Sequence, residues 1–268
     1  MVPSYHRPVS VAEAVQLKSK LGPRAVFLAG GTEVNNLHAP RPTALIDLAG
    51  LGLTKIEISP RGIRIGASVT FQQLIEHGDV PAFLKTAANQ MWNRNIRNQA
   101  TVGGHLGANR SCADLIPALL AAEAQVMLVD TEIPIDQALA GEPGLILGVF
   151  VPSTSRAFGL AHQTRTAADL SIITAAASLS LDGDRVCRPI LAIGGVAPRV
   201  VRLQVVEKAI DGKPLPAAEQ LESNIAAAVQ PIDDLRGTAA YKRHLAAVLG
   251  ARVLNSAAAQ AGMNKGAR

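Results

Sequence analysis

Two glycine pairs constrain this chain more than any other feature. Gly30-Gly31 follows the apolar run AVFLA and leads into Thr32, while Gly103-Gly104 follows Thr101-Val102. The second pair sits inside Asn93 to Pro117, NRNIRNQATVGGHLGANRSCADLIP, where polar residues and a lone acid, Asp114, interrupt a chain otherwise rich in alanine, leucine and valine. A core segment has no need of such residues, whereas a ligand would explain them. Read singly, each pair is a tight turn. Read together, two converging loops can surround a pyrophosphate with backbone N–H groups and the hydroxyls of Thr32 and Thr101, since glycine lets the backbone approach a ligand closely. The G-x-G-x-x-G and G-x-x-x-x-G-K-[ST] patterns are both absent.

The remaining composition excludes several classes. With 268 residues, 48% of them apolar, the chain suits one large domain or two modest ones with a real core. The net charge of +5 is spread without a basic run, and only 3% of residues are aromatic, so no nucleic acid is expected as a partner. That charge reads as ordinary surface chemistry or as mild attraction for an anionic ligand. Cys112 and Cys187 stand far apart with no C-x-x-C and no His/Cys cluster, so neither a zinc site nor an iron–sulfur cluster can be built from this chain's cysteines. Any clusters that feed it electrons therefore lie on a partner. The start has no apolar leader, and the longest uncharged apolar run, about residues 170–181, is too short to span a bilayer. A cytoplasmic protein with no membrane span is expected.

Taken in order, Ser10 and Glu13 form a capping box for a helix that ends near Gly22-Pro23. A strand, AVFLA, precedes the first glycine pair, and residues 33–37 can start a brief helix. ALIDL and the pair TKIEIS and GIRIGASV read as strands, Thr70 caps a helix, and residues 81–92 read as another. After Pro117 come a buried helix, the strand QVMLV and a further strand within residues 141–152. The absence of regular βαβ alternation predicts an α+β fold. From Ser153, AFGLAHQTR, LSIITAAASLSLD and RPILAIGGVAP read as three strands, followed by helices over residues 202–210, 217–229 and 239–255. The expected organisation is 1–152 (subdomains about 1–52 and 53–152), then a second α+β domain at 153–255 with a three-stranded sheet, then a loose tail at 256–268.

Asp114 suits ribose hydroxyls; it equally suits the N-cap of the helix DLIPALL. Arg94, Arg97 and Arg110 offer charge for phosphate, or are solvated or interface arginines. His105 and Cys112 stand without a positioned partner, and no Ser/His/Asp or Cys/His arrangement emerges. No catalytic residue and no metal ligand are assigned, and the chemistry belongs to a cofactor.

These residues resemble a known family, the flavin-binding (medium) subunit of molybdenum hydroxylases, the group that includes xanthine dehydrogenase and carbon monoxide dehydrogenase. The resemblance rests on FLAGGTEVNNL, IRNQATVGGHLGAN, ADLIPALLAAEAQVML, TAADLSIITAAASLSL, IGGVAPRVVRLQVVEKAI and YKRHLAAVL, which together span nearly the whole chain. It implies an FAD-binding domain of the vanillyl-alcohol oxidase type, made of two α+β subdomains, followed by a smaller C-terminal α+β domain. It also implies site residues. Leu28, Ala29, Gly30, Gly31, Thr32, Glu33, Val34 and Asn35 would form the first pyrophosphate loop of FAD. Thr101, Gly103 and Gly104 would form the second, and Val102, His105 and Asn109 would be cofactor-binding residues beside it. Asp114 would meet the ribose region, Met91 the adenine, and Leu147 and the Ser171-Ile172 segment the isoalloxazine.

The resemblance further implies a heteromeric complex. A large subunit carries molybdopterin, a small subunit carries [2Fe-2S] clusters, and this chain passes electrons through FAD to an acceptor such as NAD. The ending DLRGTAAYKRHLAAVL resembles a branch associated with purine (xanthine) dehydrogenases. His105 and Arg110-Ser111 stand where the family commonly has Asn and Ser-Pro, and Ile172 stands where some relatives carry lysine. A self-sufficient FAD-dependent oxidase of the same fold, or a non-catalytic scaffold subunit, are the alternative readings.

Overall fold

The computed structural model describes residues 4–34 and 41–266. The first body is a parallel sheet of β1 (Ser4–His6), β2 (Ala25–Leu28) and β3 (Ala44–Asp47), in the order β1-β3-β2, with α1 (Val11–Leu21) packed on it. Ser10 caps α1 by accepting from Glu13 N at 3.2 Å, but Glu13 reaches back to Val9 N rather than to the cap itself. β1 escaped the sequence reading because SYH has no alternation to detect. Its edge position is secured instead by Tyr5 Oη donating to the Asp47 carboxylate. Asn35 and most of the brief helix expected at 33–37 lie outside the described residues.

The second body is an antiparallel sheet of five strands wrapped by helices. In chain order these are β4 (Ile56–Ser59), β5 (Gly62–Gly66), α2 (Phe71–Glu76), α3 (Ala82–Asn89), α4 (Arg94–Arg97), α5 (Val102–Ala108), α6 (Ile116–Ala121), β6 (Gln125–Met127), β7 (Glu132–Pro134), α7 (Ile135–Ala140) and β8 (Gly148–Pro152). The strand order is β4-β5-β8-β6-β7. Thr70 caps α2 in a complete capping box with Gln73. The stretch VGGHLGA, read from sequence as a loop, is the helix α5. Three glycines in seven residues disfavour a helix, and tertiary contacts override them: Val102 N donates to Val69 O at 3.0 Å and Gly103 N to Ala67 O at 2.8 Å.

The third body pairs an antiparallel sheet with three helices: β9 (Ala157–Gln163), β10 (Ile173–Asp182), β11 (Arg185–Gly194), β12 (Val201–Arg202), α8 (Gln204–Ile210), α9 (Ala218–Ala228) and α10 (Ala239–Gly266). The sheet has four strands in the order β12-β11-β10-β9, not the expected three. The fourth, β12, is a two-residue edge strand too short to carry a period. The expected loose tail is corrected as well: α10 continues to Gly266, and Ala257 and Ala261 are buried against the core of this body. Alanine at these positions satisfies helix propensity and packing together, which composition alone disguised as low complexity.

This last body meets the second where α6 crosses β10 and β11, with Ala121, Ala176 and Ile190 forming a small apolar cluster. Short side chains allow the close approach, and two buried carbonyls, those of Ala113 and Ala121, are satisfied from β10. Thr174 Oγ1 donates to Ala113 O at 3.1 Å, and Ser178 Oγ donates to Ala121 O at 2.6 Å. Among the described residues no helix is long and apolar enough to cross a membrane.

Candidate functional site

β2 delivers the first glycine loop against the second. A Cβ at Gly30 would stand 1.7 Å from the carbonyl oxygen of Gln99, so the two loops touch through a position only glycine can fill. Gly31 follows with φ 72°, the left-handed region. Among the described residues no protein acceptor takes the N–H of Gly30, Gly31 or Thr32. Three successive free amides on a left-handed turn form a concavity suited to an anion.

The second loop is spent differently. The N–H groups of Val102 and Gly103 are committed to Val69 and Ala67, and Gly104 N donates to Thr101 Oγ1 at 3.1 Å. Thr101 is the N-cap of α5, which leaves its hydroxyl proton as the group it can still give. The unpaired amides are therefore concentrated on the first loop, and the second supplies close-packed walls.

Between the loops lies a cavity of about 540 Å³, within the range of small-molecule and cofactor sites. Of the sequence-predicted residues it is lined by 29–34, Met91, Thr101, Gly103, Gly104, His105 and Asp114. Leu28, Val102, Asn109, Leu147 and Ile172 are not among its lining residues. Val102 and Ile172 are buried in the apolar cores of their own bodies, and Asn109 Nδ2 turns to Leu139 O at 2.9 Å. Leu147 packs toward the first sheet, and its neighbours Leu145 and Ile146 form the wall in its place; Leu170 does the same for Ile172.

Sequence reasoning missed Trp92 and Ile96 on this wall. A single tryptophan beside Met91 in a chain with 3% aromatics was the available signal. Arg94 and Arg97 do not line the cavity: Arg94 pairs with Glu76 at 2.8 Å, while Arg97 holds Gln72 and the carbonyl of Met91 at 3.2 and 3.1 Å. Arg110 does line it, and its guanidinium pairs with Glu33, tying one loop to the other.

Asp114 is 8% exposed, and its Oδ1 accepts from Ser171 Oγ at 2.6 Å. It does not cap α6, whose N-cap position is Leu115 with no side-chain bond. Burial pushes the Asp114 carboxyl up to about 6, and the Ser171 hydrogen bond restrains that rise. His105 is pushed down to about 4 by burial, so the ring is neutral. Its Nε2 accepts from Leu115 N at 3.3 Å, which assigns the ring proton to Nδ1, and it lies edge-on to Phe71 with centroids 5.1 Å apart. Burial also raises the Cys112 thiol. The donor set fits a dinucleotide: free amides for a pyrophosphate, a buried carboxylate for sugar or polyol hydroxyls, and an apolar wall for flat rings.

Comparison with known proteins agrees. Residues 2–154 match the family described as the FAD binding domain in molybdopterin dehydrogenase, and residues 157–257 match the CO dehydrogenase flavoprotein C-terminal domain. The chain is 31% identical to the xanthine dehydrogenase FAD-binding subunit of Escherichia coli O157:H7, over 97% of each chain. It is 33% identical to the uncharacterized protein YgfM of Escherichia coli K12, over 93% of this chain and 94% of that one. A chain of carbon monoxide dehydrogenase from Hydrogenophaga pseudoflava superposes with a TM-score of 0.88 at 29% identity, covering 97% of this chain and 99% of that one. Fold, cavity and relatives together show that the chain belongs to the FAD-binding medium subunits of the molybdenum hydroxylases.

Proposed function

We propose that this chain is the electron-transfer subunit of a xanthine dehydrogenase-like complex, receiving electrons from [2Fe-2S] clusters on a small partner subunit and passing them through FAD to an acceptor such as NAD. Substrate hydroxylation takes place on a molybdopterin-binding large subunit. The observation that carries the flavin site is the run of free N–H groups at Gly30, Gly31 and Thr32 along the 540 Å³ cavity. FAD, when bound, supplies the redox chemistry.

The chain's own residues orient and enclose the cofactor. The amides of residues 30–32 would hold the pyrophosphate, Asp114 would accept from the cofactor's sugar or polyol hydroxyls, and Met91 with Trp92 would flank the adenine. Gly144, Leu145, Ile146 and Leu170 exclude water from the ring. The relatives' names, a xanthine dehydrogenase FAD-binding subunit and a carbon monoxide dehydrogenase medium chain, support the assembly with partner subunits.

The purified chain should carry a flavin spectrum with one FAD per chain, and isolation of the native complex should recover molybdopterin-binding and iron–sulfur subunits. Reduction of the bound flavin by the complex's substrate, followed by reoxidation with NAD, tests the direction of transfer. A colourless chain that refuses added FAD overturns the reading.

A further inference from the structure

One buried hydrogen bond crosses from the C-terminal half into the cavity wall, and the flavin reading leaves it unexplained. Ser171 is 1% exposed, lies between β9 and β10, and donates to Asp114 Oδ1 at 2.6 Å. The other carboxylate oxygen of Asp114 has no protein donor among the described residues, although Asp114 lines the cavity. A carboxyl group turns easily about its terminal torsion, because that torsion is broad and roughly two-fold. A donor fixed on one oxygen therefore decides where the other points.

Ser171 is itself held from behind. Arg236 Nη1 donates to Ser171 O at 3.3 Å, and the same guanidinium is fixed on Asp234 through Nε at 3.1 Å and Nη2 at 2.6 Å. Asp234 also takes Lys242 Nζ at 2.6 Å, and Lys242 is 1% exposed. Charge-assisted bonds that converge on Asp234 from Arg236 and from the buried Lys242 make a stiff mount, although Asp234 itself is solvent-exposed. A continuous line, Lys242, Asp234, Arg236, Ser171, Asp114, thus runs from α10 to the cavity.

We propose that Ser171 is a positioning residue for the bound dinucleotide: by fixing Oδ1 it aims Oδ2 of Asp114 at the ligand's polyol hydroxyls, so that FAD retention depends on the C-terminal half. This inference rests on the flavin reading and adds the residue that sets the acceptor's geometry. A hydroxyl suits the task because it donates to the carboxylate without adding a charge that would compete for it.

The test uses the full-length chain, depleted of flavin and titrated with FAD, with the Kd followed by absorbance and the bound flavin by visible circular dichroism. Ser171→Ala is expected to raise the Kd about tenfold, the loss of one hydrogen bond to a charged group, and to change the flavin dichroism. Ser171→Thr restores both, and Ser171→Ala adds nothing further in an Asp114→Asn background. Should Ser171→Ala fail to fold, the near-isosteric Ser171→Cys carries the same comparison with its weak donor. Wild-type-like Kd and dichroism in the hydroxyl-free variant overturn the inference while leaving the flavin site standing. A wild-type chain that binds no FAD overturns both.

Discussion

Gly30 rests directly on the carbonyl of Gln99, so closely that a Cβ would come within 1.7 Å of that oxygen. The contact joins the two glycine loops into one clamp, and the obstacle is backbone, which cannot rotate aside. Gly30→Ala must push the loops apart. Overpacking of this kind costs about 1–3 kcal/mol, so calorimetry should show a melting temperature lower by roughly 5 °C, accompanied by loss of bound flavin. An unchanged melting temperature with full flavin content would show that the loops are not clamped.

Gly107 provides the opposite case. It lines the cavity, and a Cβ there meets nothing within 4 Å. Gly107→Trp should fill the cavity without straining the protein and even improve helix propensity in α5. The expected result is a wild-type melting temperature with FAD affinity weakened at least about tenfold, equivalent to about 1.4 kcal/mol. Titration of wild type and variant side by side separates blocked binding from unfolding. Tight FAD binding by a folded variant would place the cofactor elsewhere.

Trp92, the chain's one tryptophan, is 38% exposed and lines the cavity. Its emission reports the site without any label. Stoichiometric FAD should quench it, and Trp92→Ala should weaken binding about fivefold, in keeping with the worth of one aromatic contact. Emission that stays constant through saturation would remove Trp92 from the ligand's surroundings.

Two groups at the site push the acid stability profile in opposite directions. His105 has its folded value lowered to about 4 from an ordinary 6.5, so its neutral burial is lost as a source of stability while pH falls from 6.5 to 4. Asp114 has its folded value raised to about 6 from 3.8, so its stability is present below 3.8 and is lost as pH rises through 6. Each effect is worth at most about 3 kcal/mol, and between pH 4 and 6 they nearly cancel. Denaturant melts across this window should show His105→Asn gaining stability relative to wild type as pH falls, and Asp114→Asn losing it. Parallel profiles for all three proteins would remove both groups from the acid response.

Much of the site was written in local order along the chain. The glycine pairs, Thr32, Thr101 and Asp114 are legible because each is a residue type misplaced in an apolar chain, Met91 came only from the family resemblance, and the cavity gathers them all. α5 was not legible, since its glycines argue against a helix until Val69 and Ala67 accept its first amides. Leu147 and Ile172 missed the wall by one or two positions, because the face a residue presents depends on backbone placement that no local pattern encodes. The long α10 was shortened in reading because its last turns hold mostly small and polar residues, and burial of Ala257 and Ala261 needs the sheet beneath them.

The sequence by itself determined the α+β class, the two glycine pairs and the flavin-subunit family, all of which depend on residue identity and short-range spacing. Tertiary structure decided which amides remain free. Residues 102–104 lost theirs to neighbouring backbone and side chain, while residues 30–32 kept theirs, since a hydrogen-bonding group is available to a ligand only if folding has left it unpaired. It also decided that Asp114, by local rules equally a helix cap or a ligand contact, leaves α6 uncapped and accepts instead from a serine 57 residues away.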